Sequence, residues 1–349
     1  MIKFNSDLEK EIINYIKKFP ESSSKEIYDG LNNIVAYATI KRAIKILLST
    51  NLIATIGNGK ATKYTINKGF EIVYPINLET YFEKEIDERE IKEAFNLELI
   101  KTILSDVSIF TDNEIVKLSN LQIQFSENIS KLSIAEFNRE FERLAIDLSW
   151  KSSQIEGNTY SLLETERLLK EKETAAGKTK DEAVMLLNHK TALDFILENS
   201  DYINPLAVSR IEDIHSLLIE GLGIDRNIRN RRVGISGTNY RPLDNEFQIK
   251  EALHDMCNLI NSRENIFEKS FLALVLLSYI QPFSDGNKRT ARIISNAILI
   301  NNKYCPISFR TVDSIDYKKA MLIFYEQNNI TPFKKIFVEQ FEFAVKTYF

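Results

Sequence analysis

The residues with the clearest capacity for chemistry lie together, from Pro282 through Phe283, Ser284, Asp285, Gly286, Asn287, Lys288, Arg289, Thr290 and Ala291 to Arg292. Pro282 stops a preceding helix, because it lacks an N–H and fixes φ. Asp285, Gly286 and Asn287 make a turn that feeds a helix N-terminus. Unpaired backbone N–H groups and the helix dipole form an anion site there. Lys288, Arg289 and Arg292 surround it with positive charge, and Asp285 is an oxygen ligand suited to Mg²⁺. The stretch is therefore a candidate phosphate or nucleotide site. The alternative is a glycine turn between two core helices with basic surface residues. Other chemistry is scarce. The three histidines, His189, His215 and His254, lie in helical periodicity and lack the spacing of a metal cluster. Trp150 reads as core.

The elements around the loop are helical. The apolar segment Phe271 to Ile280 precedes it and Ala291 to Ile300 follows it. From about residue 88 to 349 one amphipathic pattern succeeds another. Only 11 Gly and 7 Pro occur in 349 residues, which argues against sandwiches and barrels with many tight turns. At roughly 100–200 residues per domain, the length predicts two domains. With 44% apolar and 27% charged residues, the balance is that of a soluble, ordered chain. Cys257 and Cys305 cannot build a disulfide framework, so a reducing compartment is expected. No segment approaches the roughly 20 uncharged apolar residues of a membrane span, and Met1 to Asp7 has no signal-peptide plan. A cytoplasmic location is the expectation.

Charge divides the chain. Residues 1–70 carry 11 Lys/Arg against 6 Asp/Glu, while the remainder is acidic. Leu8, Ile12, Ile13, Tyr15 and Ile16 make a helical stripe that Phe19 and Pro20 end. Ser23 and Glu26 form a capping box for a short second helix. Asn32 and Asn33 predict a turn. Ile40, Ala43, Ile44, Leu47 and Leu48 then give the spacing of a third helix, whose other face shows Tyr37, Lys41, Arg42 and Lys45. Leu52 to Ile56, a Gly57-Asn58-Gly59 turn and Ala61 to Ile66 predict a β-hairpin. This order resembles a winged helix-turn-helix domain over 1–70. The resemblance implies DNA contact through Lys41, Arg42 and Lys45, with Lys60 and Lys63 near phosphate. Such domains also dimerise and dock proteins. Residues 71–94 read as a linker and lead-in, with a solvated helical face from Glu83 to Lys92.

The Pro282–Arg292 loop resembles the signature of the Fic (Fic/Doc) family, His-Pro-Phe-x-Asp/Glu-Gly-Asn-Gly-Arg-x-x-Arg. Two further stretches agree, in the family's order. Ser152 to Thr159, with Glu156, Gly157 and Asn158, resembles the family's inhibitory motif on a helix around 152–158. Arg231 to Pro242 resembles its flap, with Val233, Gly234, Ile235, Ser236, Gly237, Thr238 and Tyr240 docking a target segment. The resemblance covers roughly 95–349. It implies a mainly α, all-helical Fic domain with a β-hairpin flap.

By resemblance the activity is AMPylation, the transfer of AMP from ATP to a hydroxyl of a target protein. Asp285 would hold Mg²⁺, and Gly286 and Asn287 the α-phosphate. Arg289 would hold the leaving phosphates and Arg292 the γ-phosphate. Glu156, near Ser152 and Gly157, would pair with Arg292 and inhibit. The bland alternatives for Glu156 are a carboxylate complementing a helix N-terminus or a surface salt bridge.

Two positions depart from the pattern. The family's proton-accepting His is Gln281 here, and an amide has no useful pKa for a general base. Lys288 stands where AMP-transferring members have Gly, and relatives of the Doc toxin, which transfer phosphate, have Lys. Three readings follow: a slow, autoinhibited nucleotidyltransferase, a catalytically inactive nucleotide sensor, and a winged-helix transcriptional regulator whose Fic domain dimerises or docks targets. Doc-like phosphate transfer is a lesser alternative.

Overall fold

The computed structural model describes residues 7–32 and 35–349, without the side chain of Lys60. The Asn33 half of the expected turn, the Lys60 contact and residues 1–6 thus lie outside the described residues. The chain opens with α1 (Asp7–Lys18), α2 (Ser24–Gly30) and α3 (Tyr37–Ser49). The Ser23–Glu26 capping box starts α2. A hairpin follows, β1 (Ile53–Ile56) antiparallel to β2 (Lys63–Ile66), with Ile53 opposite Ile66 and Ile56 opposite Lys63. Ile12, Ile16, Ile27, Ile40, Ile44 and Leu47 are buried together, as the i, i+3, i+4 spacing requires. Lys41, Arg42 and Lys45 are exposed on α3.

Two short helices, α4 (Phe70–Val73) and α5 (Leu78–Phe82), lead into the body. This lead-in is stitched down rather than solvated. Asn329 Nδ2 donates to the carbonyls of Glu71 and Tyr74, at 2.9 and 2.6 Å. The expected helical face over Glu83 to Lys92 does not form; only a 3-10 turn at Ile86–Glu88 does. The reason is Arg89, which turns inward to pair with Glu326 at 3.1 Å, the two side chains being 4% and 0% exposed.

The body holds α6 (Asp112–Ile129), α7 (Ile134–Ile155), α8 (Leu162–Glu171), α9 (Lys180–Glu198) and α10 (Val208–Ile219). It continues through α11 (Glu246–Ser262), α12 (Ile266–Ile280), α13 (Asn287–Asn301), α14 (Ser314–Gln327) and α15 (Thr331–Tyr348). Helices α6, α7, α8 and α9 each start on a capping box, at Thr111, Ser133, Ser161 and Thr179. Every α12 side chain from Phe267 to Ile280 except Lys269 is buried, as expected of a helix apolar on all sides. α13 packs against α12 across a six-residue loop, so this central pair fixes both walls of the loop. The molecule is mainly helical. Among the described residues its only sheet is the N-terminal hairpin. The expected β-hairpin flap does not form: residues 233–240 hold no strand, only a turn at Ser236 and Gly237.

No described helix is long and apolar enough to cross a membrane.

Candidate functional site: an anion loop under a carboxylate clamp

The loop begins where α12 ends on Gln281, in the left-handed region at φ 51°. That conformation is uncommon for a residue with a Cβ and is held here by several contacts. Arg229 Nε donates to the Gln281 carbonyl at 2.6 Å, and the Arg229 N–H donates to the Pro282 carbonyl at 2.9 Å. The Gln281 amide is held as well. Its Nε2 donates to the Ser278 carbonyl at 2.6 Å, and its Oε1 accepts from Asn287 Nδ2 at 3.0 Å. Asn287 closes the loop on itself, accepting from the Phe283 N–H and donating to the Phe283 carbonyl, both at 2.8 Å.

Gly286 precedes α13 at φ 78°, where a side chain would be strained. A Cβ there would also sit 3.2 Å from Cε1 of His215. His215 is a buttress: its ring stacks on Phe283 with centroids 3.6 Å apart, and Nδ1 lies 3.2 Å from Thr290 Oγ1. Burial pushes its pKa down to about 4, so it is neutral near pH 7. His189 is fully buried, and burial, with Arg292 and Arg289 nearby, holds it well below its ordinary value.

α13 has no side-chain cap, which leaves its first-turn N–H groups for another acceptor. Asp285 Oδ1 accepts from the Gly286 N–H at 2.6 Å, and Oδ2 lies 3.4 Å from Arg289 Nη2. The Asp285 carboxylate is 65% exposed, whereas Arg289 is 1% exposed and its Nε has no partner among the described residues. A buried guanidinium with an unused donor beside an uncapped helix start favours an anionic ligand.

Arg292 is fully buried and committed to α7. Its Nε donates to Ser152 Oγ at 2.8 Å, and its Nη2 donates to the Ser152 carbonyl and to Glu156 Oε1, each at 2.9 Å. Its guanidinium lies over the Tyr317 ring, 5.4 Å from the centroid. Glu156 sits at the C-terminal end of α7, just past Ile155, and Gly157 turns the chain away at φ 101°. The helix N-terminal role considered from sequence is therefore excluded, since a carboxylate at a C-terminus opposes the macrodipole. Cations hold it instead: Arg292 on Oε1 and Lys288, at 3.3 Å, on Oε2. Burial pushes the Glu156 carboxyl up, but Arg292 and Lys288 outweigh it and hold it below the ordinary carboxylate range.

Beside this clamp lies a cavity of about 360 Å³, within the range of small-molecule sites. Gln281, Asp285, Gly286, Asn287, Lys288, Arg289 and Glu156 all line it. Val233, Gly234, Ile235 and Ser236 of the flap form another side. Gly237, Thr238 and Tyr240 do not reach it. The Gly237 carbonyl accepts from Arg89 at 2.8 Å, and buried Tyr240 donates its hydroxyl to the Tyr279 carbonyl at 3.1 Å. Lys41, Arg42 and Lys45 stand apart on α3. Sequence patterns did not single out Tyr317, Lys318 and Tyr325 of the α14 wall, nor Arg229. Arg229 had a weak signal, as the start of a basic run, but the α14 residues had none. Among the described residues no three His, Cys, Asp or Glu side chains group as a metal site.

Comparison with known proteins agrees with this fold. Residues 205–299 match the Fic/DOC family, so the chain carries a Fic/DOC domain there. A protein adenylyltransferase Fic of Nematostella vectensis is 29% identical over 181 residues, covering 48% of this chain and 40% of that protein. Protein adenylyltransferase fic-1 of Caenorhabditis elegans is 24% identical over 201 residues, covering 56% and 39%. The chain thus spans about two fifths of the length of these curated relatives. The solved Fic-1 structure from C. elegans superposes with a TM-score of 0.59 at 18% identity, over 97% of each chain. A Fic-domain-containing signaling protein of Bacteroides thetaiotaomicron gives 0.56 at 19%, over 66% of this chain and 94% of that one. These likenesses establish the fold. The protein is a Fic-domain protein resembling protein adenylyltransferases.

Proposed function

We propose that this chain binds ATP in the loop cavity, that its resting state is autoinhibited by Glu156, and that AMP transfer by it is slow or absent. The observation that carries the reading is the 2.9 Å contact of Glu156 with buried Arg292, beside a cavity lined by an uncapped helix start. In this scheme the N–H groups that open α13 cradle the α-phosphate, and Arg289 takes the leaving phosphates. Such preorganised donors stabilise charge on the transferring group. Asp285 would hold Mg²⁺. Its exposed carboxylate fits an ion that binds through one or two carboxylates plus substrate phosphates, and that ion would neutralise phosphate charge. Arg292 receives the γ-phosphate only when Glu156 withdraws.

Gln281 supports the weak-activity part. Its amide is held by Asn287 on Oε1 and by Ser278 on Nε2, and an amide lacks the proton affinity of a base. The nucleotide-sensor reading draws on the same observation. A target protein would dock along the flap at Val233 to Ser236. The three α3 cations form an exposed basic face for which DNA is the proposed partner, in keeping with a winged-helix role for residues 1–70.

The test is thermal unfolding with ATP and Mg²⁺. Ligand binding to the native state raises the midpoint by mass action. Wild type should shift slightly, Glu156→Gly more, and Asn287→Ala not at all. Absence of any shift in a folded Glu156→Gly variant would refute the ATP reading.

A further inference from the structure

Glu156 does not rest on one cation. Its Oε1 faces Arg292 at 2.9 Å, and its Oε2 faces Lys288 at 3.3 Å. These two cations are four residues apart on α13, so they share a helix face. Like charges at that spacing repel each other, and here Arg292 is fully buried while the Lys288 side chain is 25% exposed. One carboxylate thus bridges two positive groups at the edge of a cavity that Lys288 and Arg289 also line. The pair carries more positive charge than Glu156 neutralises. An anion of higher charge with several oxygens satisfies it better, and a terminal phosphate has that chemistry.

We propose that Lys288 is a specificity residue with two partners. In the closed state it is the second half of the clamp on Glu156. In the open state it swings to the terminal phosphate of a nucleoside triphosphate, joining Arg292. The inference rests on the reading of the cavity as an ATP site. Its consequence is coupling between the two positions. With Glu156 present, removing the Lys288 charge weakens the clamp, and that gain offsets part of the loss of a phosphate partner. With Glu156 gone, nothing offsets the loss and the nucleotide is hindered in full.

The experiment is titration calorimetry of ATP, ADP and AMP with full-length wild type, Lys288→Gln, Glu156→Gly and the double variant. Lys288→Gln keeps much of the stem's length and leaves Arg292 its Ser152 contacts, and circular dichroism checks each fold. Lys288→Gln alone should cost ATP affinity much less than the same change costs in the Glu156→Gly background. In the Glu156→Gly background it should weaken ATP about tenfold, the equivalent of about 1.4 kcal/mol, and leave AMP unchanged. Lys288→Arg in that background should restore ATP affinity. An equal loss in both backgrounds, or none in the second, overturns the two-partner role. Equal losses for AMP and ATP overturn the terminal-phosphate assignment. If folded Glu156→Gly does not bind ATP at all, the underlying ATP reading falls and the proposal falls with it.

Discussion

Replacing Gln281 with His tests whether position 281 limits the proposed AMP transfer. The site is already shaped for it. Position 281 is left-handed at φ 51°, a region in which His is enriched among residues with a Cβ. An imidazole there keeps one nitrogen to hydrogen-bond Asn287 or Ser278 and gains a titratable lone pair. Among the described residues, nothing else on the cavity wall supplies that readily. Tyr325 lies 3.5 Å from Gln281 Nε2, but burial pushes its phenol far above its ordinary value. Besides Glu156, the only described carboxylate lining the cavity is Asp285, which already accepts from the Gly286 N–H. A positioned general base is worth about 10²–10⁴ in rate, or about 2.7–5.4 kcal/mol of barrier. The assay is incorporation of label from α-labelled ATP into the protein itself, because it needs no known target. Glu156→Gly should label barely or not at all. Adding Gln281→His should raise labelling at least about a hundredfold. Its rate should climb with pH through the ordinary histidine range near about 6.5. If Glu156→Gly alone labels as fast as the double variant, Gln281 is not the limit.

Three other outcomes follow from the geometry. Arg89→Ala leaves Glu326, fully buried, without its cation, so it should destabilise the fold by about 3–5 kcal/mol in chemical unfolding; a cost below about 1 kcal/mol would show the pair to be incidental. The Glu156 carboxyl is held below its ordinary value, so its ionised form stabilises the fold above the unfolded value of about 4.3 and that contribution fades as pH falls through the lower folded value. The melting difference between wild type and Glu156→Gln should therefore stay flat from pH 7 to 5 and shrink only in more acid solution; shrinkage above pH 5 would refute the double clamp. Replacing Lys41 and Arg42 with Ala should weaken binding to duplex DNA and reduce the salt slope by roughly 0.9 for each phosphate no longer neutralised, as measured by fluorescence anisotropy; an unchanged slope would remove α3 from any DNA interface.

The local elements were legible because their signals are local. The Ser23–Glu26 capping box and the 3.6-residue stripe act within a few residues and appear where their patterns lie, whereas the hairpin connection is longer than the Gly57-Asn58-Gly59 turn expected, with a 3-10 turn at Gly59–Ala61 and β2 starting only at Lys63. The loop from Pro282 to Arg292 was legible for the same reason, as one stop, one turn and one helix start. What escaped was long-range. Arg89 sits in a charge-rich stretch that looks solvated, yet it turns inward because buried Glu326, 237 residues away, needs a cation. Tyr317 and Tyr325 belong to a C-terminal helix whose pattern says only that one face is buried. Glu156 was recognisable as a partner of Arg292 through resemblance, but its pairing with Lys288 depends on the side-chain reach of α13 across α7, which no spacing rule encodes.

The same geometry explains how the loop keeps its shape without a histidine. Position 281 must offer an acceptor to Asn287 Nδ2 and a donor to the Ser278 carbonyl at once. A neutral imidazole meets both demands only by spending both ring nitrogens, which leaves no lone pair for a proton. Used as a base, it must give up one contact. A glutamine amide meets both demands permanently, with its planar head fixed between the two partners. The Asn287 bracket on Phe283, the Arg229 contacts and the His215 stack then hold the anion loop whether or not proton transfer occurs. Binding of phosphate and acceptance of a proton are therefore separable here. On the proposed reading, glutamine at 281 gives up the second and keeps the frame on which the first depends, so Asn287→Ala should cost nucleotide binding while Gln281→His should leave it nearly unchanged.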